Sequence, residues 1–267
     1  MKRKPAVAGQ FYPGSAVQLK SQIQEFSGTE KSRKCAIGIV VPHAGYIYSG
    51  RVAAAVFNQI EYPDTFILMG PNHTGVGSNM ALFCSGCWEM PGKSLAVDEA
   101  LCSELIASSH LFSDDPGAHA FEHSLEVQLP FIAYETDDIK IVPLTIRRAD
   151  LDECGQAGRA IARTISSSSR RVVMAASTDM SHYLDHETTI KLDQLAIDRI
   201  IALDPEGLYN IVMANKISMC GMLPTAIMLF AARELGASDA ELVLHTTSGE
   251  MSGDFDRVVG YAGLIVR

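Results

Sequence analysis

The chain has 267 residues, 22 basic and 31 acidic, for a formal net charge of −9. That length admits one large or two small domains and buries about 75% of the unfolded surface, so a core forms without disulfide staples. Apolar residues make up 47% and charged residues 20%, which excludes disorder. The acidic balance, with no basic cluster beyond Lys2-Arg3-Lys4, argues against nucleic acid. Pro5, Gly9, Gln10 and Pro13 occupy the place where a secretory signal needs an apolar run. The uncharged stretches 65–88 and 217–232 are interrupted or too short to span a bilayer. The expectation is a cytoplasmic protein whose six cysteines are reduced thiols.

In chain order, helical spacing opens at 19–26 and a strand-like apolar run follows at 36–41. A helix is expected at 52–60, strands at 66–69 and, more weakly, 80–83, and a helix at 98–108 opened by an acidic cap. Helical spacing at 122–134 precedes a strand at 139–146, which Pro143 breaks. Helix 152–165, strand 172–176, helix 187–203 and helix 225–235 follow, the last preceded by Pro224. Strands at 241–244 and 258–266 close the chain. This alternation implies a layered α/β fold, with a mostly parallel or mixed central sheet flanked by helices. No composition break marks a linker, so residues 1–267 are read as one domain.

Three histidines each follow an apolar run: His43 ends IGIVVPH, His73 ends FILMGPNH and His182 ends VVMAASTDMSH. A fourth, His245, closes ELVLH. The carboxyl ends of parallel strands line one edge, where ligands bind. His43, His73 and His182 therefore converge there, with Asp179 on the loop of His182. A lone histidine after a strand is an ordinary loop residue, but three after three strands point to a shared metal or acid–base site. Cys220, in SMCGMLP ahead of the helix at 225, is positioned as a ligand or nucleophile. His43, His73 and Cys220 make a two-imidazole, one-thiolate set that favours iron, copper or zinc over magnesium.

Other patterns compete. His119-Ala-Phe-Glu122-His123 matches the H-x-x-E-H of inverted zinc peptidases, so a zinc hydrolase on His119 and His123 is the alternative. Cys84-Ser-Gly-Cys87 lacks the second pair a zinc ribbon needs. No G-x-S-x-G elbow, Walker loop or G-x-G-x-x-G occurs.

The motifs PAVAGQFYP (5–13), VPHAGYIYSG (41–50), GPNHTG (70–75), HAFEHSLEVQLPF (119–131), STDMSHY (177–183), Cys220-Gly221 and SGEMSGDFDRVVGYAG (248–263) resemble, in this order, those of the Memo family, which includes AmmeMemoRadiSam system protein B. The resemblance implies a fold similar to the class III extradiol dioxygenases, which bind non-haem iron(II) through two histidines and a glutamate. His43 and His73 then match the metal histidines, and Cys220 stands where the dioxygenases have glutamate. Asp179 and His182 match polar residues beside the metal, His182 in the acid–base position. Asn72 and His123 are expected to support the ligands from behind. One transition metal, iron or copper before zinc, is the implied cofactor. An AMMECR1-like protein and a radical SAM protein are the implied partners, and a small molecule or peptide the ligand. A redox-active enzyme and a non-catalytic binding partner both remain open, because thiolate in place of glutamate changes the metal's potential.

Overall fold

A computed structural model describes residues 1–26, 33–136 and 138–267. The strands are β1 (Lys2–Arg3), β2 (Gly38–Val41), β3 (Thr65–Pro71), β4 (Met80–Leu82), β5 (Cys87–Met90), β6 (Lys93–Val97), β7 (Ser113–Asp114), β8 (Lys140–Ile146), β9 (Val172–Ser177), β10 (His182–Leu184), β11 (Ala240–Thr247) and β12 (Val258–Val266). The helices are α1 (Ala16–Phe26), α2 (Tyr46–Phe57), α3 (Glu99–Ser108), α4 (Leu129–Ala133), α5 (Leu151–Ser167), α6 (His186–Ile201), α7 (Pro205–Asn215), α8 (Met222–Glu234) and α9 (Gly249–Ser252).

All twelve strands join one mixed sheet, along the path β1-β5-β6-β8-β3-β9-β2-β12-β10. Its centre is parallel: β8, β3, β9 and β2 pair side by side in one direction. Every residue of β2 and β3 is buried, as a sheet covered on both faces requires. The antiparallel partner β12 adds to β2, and β11 adds to β12. Helix α8 lies against β2, β3 and β9 and packs on α5, while α2 lies against β2, β11 and β12. The expected α/β sheet flanked by helices is therefore present.

Some boundaries differ, for identifiable reasons. Pro143 does not break its strand: β8 runs continuously and pairs with all of β3. On the other side it pairs with β6 at Lys140 and Ile141 and with β4 from Leu144, so proline falls where the neighbour changes and its missing N–H costs no ladder bond. The β5–β6 hairpin, absent from the sequence reading, turns on Pro91-Gly92, with Gly92 at φ +79°. Helix 122–134 does not form as one piece. Two short 3-10 turns, Pro116–His119 and Glu126–Gln128, flank a non-helical stretch, and only Leu129–Ala133 is α-helical. Helix α7 also went unread; its Asp204 accepts from Gly207 N–H and Pro205 occupies the first turn. No helix among the described residues is long and apolar enough to cross a membrane.

Candidate metal centre

Three strand ends build the floor of the site. His43 stands two residues past β2, His73 two past β3 and Asp179 two past β9. Because these strands are parallel, all three residues emerge at one edge of the sheet. The connection between the two 3-10 turns adds His123. The His43 ring lies 5.2 Å from that of His73 and 5.5 Å from that of His123, while His73 and His123 stack at 4.7 Å. One ring nitrogen from each of the three lies within 4.8 Å of the other two.

The surrounding hydrogen bonds fix which nitrogen each ring presents. Ser177 Oγ donates to Ser124 O at 2.6 Å and accepts from Gln128 Nε2 at 2.9 Å. Its one proton is thereby spent, so at its 2.9 Å contact with His43 Nδ1 the imidazole must donate. The lone pair of His43 is left on Nε2, which meets Cys220 Sγ at 3.2 Å. Glu122 does the same for His73: Oε1 sits 2.9 Å from His73 Nδ1, and both Glu122 oxygens also accept backbone N–H groups from His73, His123 and Ser124. Burial works to raise the Glu122 pKa, but the His73 ring and those N–H groups outweigh it and hold it down to about 2. An ionised carboxylate behind His73 Nδ1 leaves Nε2 as its free donor atom.

Burial also depresses the pKa of His43 and His123; the neighbouring imidazoles add to this at His43, whereas the Glu122 carboxylate opposes it at His123. Neutral imidazoles with oriented lone pairs are what a metal ion needs. The described residues therefore fit a transition metal by donor chemistry, ring proximity and support behind the rings. Phe11, carried by the N-terminal segment, closes one side, 4.7 Å from the His123 ring.

Cys220 precedes α8 and touches His43 but does not belong to the mutually close trio. Its position depends on Gly221: a Cβ there would come within 2.3 Å of Thr178 Cβ and 2.4 Å of Ser177 O. A lowered thiol pKa, expected from the helix start, is not found. Burial, and then the charge of Asp179, pushes it up to about 12, so the thiol donates toward His43 Nε2. Asp179 ties the two together, its Oδ1 accepting the His43 N–H at 2.8 Å and its own N–H reaching Cys220 Sγ at 3.2 Å. Burial raises the Asp179 pKa to about 6 against the opposing N–H groups of His43 and Ala44 and the charge of His182. His182 opens edge strand β10, its N–H held by Ser218 Oγ at 2.8 Å and its buried Nδ1 without a partner.

The remaining candidates divide. Asn72 does not support the cluster; its side chain bonds Val76 O, Thr74 Oγ1 and Gly75 N–H and so shapes the loop after His73. The His119–His123 zinc pair does not form, because the segment is not one helix. His119 is buried with Nε2 2.9 Å from Ala81 O, between Phe83 and Trp88, and outside the close trio. His245 lies within β11 and meets the buried Asp193 carboxylate at 2.9 Å. Sequence reasoning placed His123 behind the ligands rather than among them, and it missed Ser177 and Gln128; their role depends on contacts between segments 49 and more residues apart. Glu122 was noticed only as part of the peptidase pattern.

The chain is similar to known proteins over nearly its whole length. The family model described as "Memo-like protein" matches residues 3–265. A MEMO1 family protein of Methanopyrus kandleri is 39% identical over 281 residues, covering 100% of this chain and 99% of the relative. One from Methanosarcina barkeri is 41% identical over 266 residues, covering 99% of each. Among solved structures, an uncharacterized protein of Escherichia coli K12 matches with a TM-score of 0.61 at 14% identity, over 85% of this chain and 98% of its own, a likeness of fold alone. With the family model spanning nearly the whole chain and full-length relatives near 40% identity, this chain belongs to the Memo family.

Proposed function

We propose that the chain binds one transition-metal ion, iron or copper, on His43, His73 and His123, with Cys220 as a further donor on the His43 side, and that the site is redox-active in the manner of the non-haem iron dioxygenases. The observation that carries this is the trio of imidazoles within 4.8 Å of one another, with His43 and His73 each held at Nδ1 by a separate acceptor. A bound iron or copper would supply one-electron chemistry and Lewis acidity. The protein's own residues do the rest. Ser177 and Glu122 engage Nδ1 of His43 and His73 and leave Nε2 of each as the donor atom, Asp179 ties the His43 backbone to the Cys220 thiol, and His182, with an unpartnered Nδ1, moves protons beside the site. Cytoplasmic location and association with an AMMECR1-like and a radical SAM protein belong to this reading on the strength of the sequence resemblance.

A second reading keeps the metal and drops the turnover. Three imidazoles plus a thiol make four donors, and four protein donors close a site that a catalyst leaves open. Cobalt(II) loading separates the two. A sulfur-to-cobalt charge-transfer band that disappears in Cys220→Ser, with a four-coordinate spectrum and no response to added azide, supports metal holding without catalysis. A spectrum that shifts on azide, with or without that band, supports an open site with a position left for oxygen or substrate. Cobalt that leaves the wild-type spectrum unchanged rejects both.

A further inference from the structure

Arg147-Arg148 follow strand β8 directly, at the same sheet edge as the histidines. These two arginines, with Asn79, Ala149, Asp150, Glu153 and Tyr209, line a polar cavity of about 700 Å³. In a chain of net charge −9, Arg3, Arg170, Arg233 and Arg267 all face carboxylates. Arg147 instead donates only to neutral carbonyl oxygens: Nε and Nη2 to Asn79 Oδ1 at 3.2 and 2.9 Å, and Nη1 to Gly75 O at 3.2 Å. Arg148 is exposed and its side chain has no partner among the described residues. The two acids in the cavity are already engaged, since Asp150 and Glu153 cap α5 reciprocally through each other's backbone N–H. Two guanidinium groups therefore share one cavity with two acids whose oxygens are turned to their own helix.

Arg147 ties this cavity to the loop after His73. Gly75 lies two residues beyond His73, so Arg147 Nη1 stands within about 13 Å of the His73 Cα. We propose that this cavity is an anion subsite, which takes the carboxylate or phosphate group of a molecule whose other end reaches the histidines. Planar guanidinium groups fit both anions through paired charge-assisted hydrogen bonds. What the rest of that molecule undergoes rests on the proposed metal function; the anion subsite itself does not.

The test is isothermal titration of the full-length, metal-free protein with inorganic phosphate and, separately, with succinate. At least one probe saturates in the millimolar range; phosphate alone identifies a phosphoryl group and succinate alone a carboxylate. Arg148→Ala weakens that binding about tenfold or more, and Arg148→Lys weakens it less because charge survives while the fork is lost. His73→Ala binds the probe as wild type does. If neither probe saturates below about 10 mM, or if Arg148→Ala binds like wild type, the subsite does not exist. Loss of metal binding with probe binding intact counts against the metal function alone.

Discussion

Glu122 directs four hydrogen bonds into one carboxylate: the His73 ring and the backbone N–H groups of His73, His123 and Ser124. It is the residue on which the geometry of two ligands depends. Glu122→Gln keeps the shape but removes the charge and one acceptor. It is expected to weaken metal affinity by about 10- to 100-fold, read by competition with a coloured chelator, while far-UV circular dichroism stays that of wild type. An affinity equal to wild type would show that the carboxylate does not tune His73. His119 makes a separate point about pH. Burial lowers its pKa from 6.5 to about 4, so the unfolded chain binds a proton that the native one refuses between those values. Stability from this residue is complete above pH 6.5 and is lost as pH falls toward 4, by about 3 kcal/mol in all. Urea unfolding at pH 7 and pH 4.5 measures that loss, and His119→Phe should reduce it. His43 and His73 were legible as candidates because histidine directly after a buried apolar run is a local signal. Ser177 and Glu122 were not, since their partners arrive from other segments and only the assembled site shows which protons are spent.

At the scale of elements, the strand-end loops are what the sequence exposes best. The exits of the buried apolar runs predict His43, His73 and His182 on one edge, with Asp179 on the His182 loop; β2, β3 and β9 hold His43, His73 and Asp179 there, while His182 opens the edge strand β10. The stretch 119–134 misled because leucines 125 and 129 keep helical spacing while the Glu122 carboxylate binds the backbone N–H groups of His123 and Ser124, which then curl around it rather than continue a helix. A side chain competing for backbone donors defeats periodicity. The turn before α8 is set by space. Gly221 sits where a methyl group would strike Thr178 and the Ser177 carbonyl. Gly221→Ala is expected to cost about 2 kcal/mol or more and to move Cys220 off His43, giving a lower melting temperature and faster alkylation of that thiol. Unchanged alkylation kinetics would place Cys220 outside the control of this turn.

Across the whole molecule, the N-terminal segment and the histidine region are locked together by one buried pair. Arg3 meets the fully buried Glu126, which also accepts from Ala6 N–H, Val7 N–H and the Tyr12 hydroxyl. Arg3 donates in addition to the carbonyls of His119 and Glu122. The first dozen residues are therefore part of the site wall, with Phe11 against His123. Arg3→Met strands the Glu126 charge and should destabilise by about 3–5 kcal/mol, seen in the midpoint of urea unfolding; a smaller loss would mean that water compensates the carboxylate. The central strands of the sheet were readable from their apolar runs, whereas this long-range lock was not, because the partners lie 123 residues apart and neither motif names the other.

The central claim is that residues distant in the chain share one ion. Metal content per chain, measured by mass spectrometry after anaerobic purification and loading with iron(II), tests it most directly. One iron per wild-type chain, less than about a tenth of that in His43→Ala and in His73→Ala, and a clear loss in His123→Ala, would agree with coordination by these imidazoles. Equal metal in wild type and in both His43→Ala and His73→Ala would contradict it.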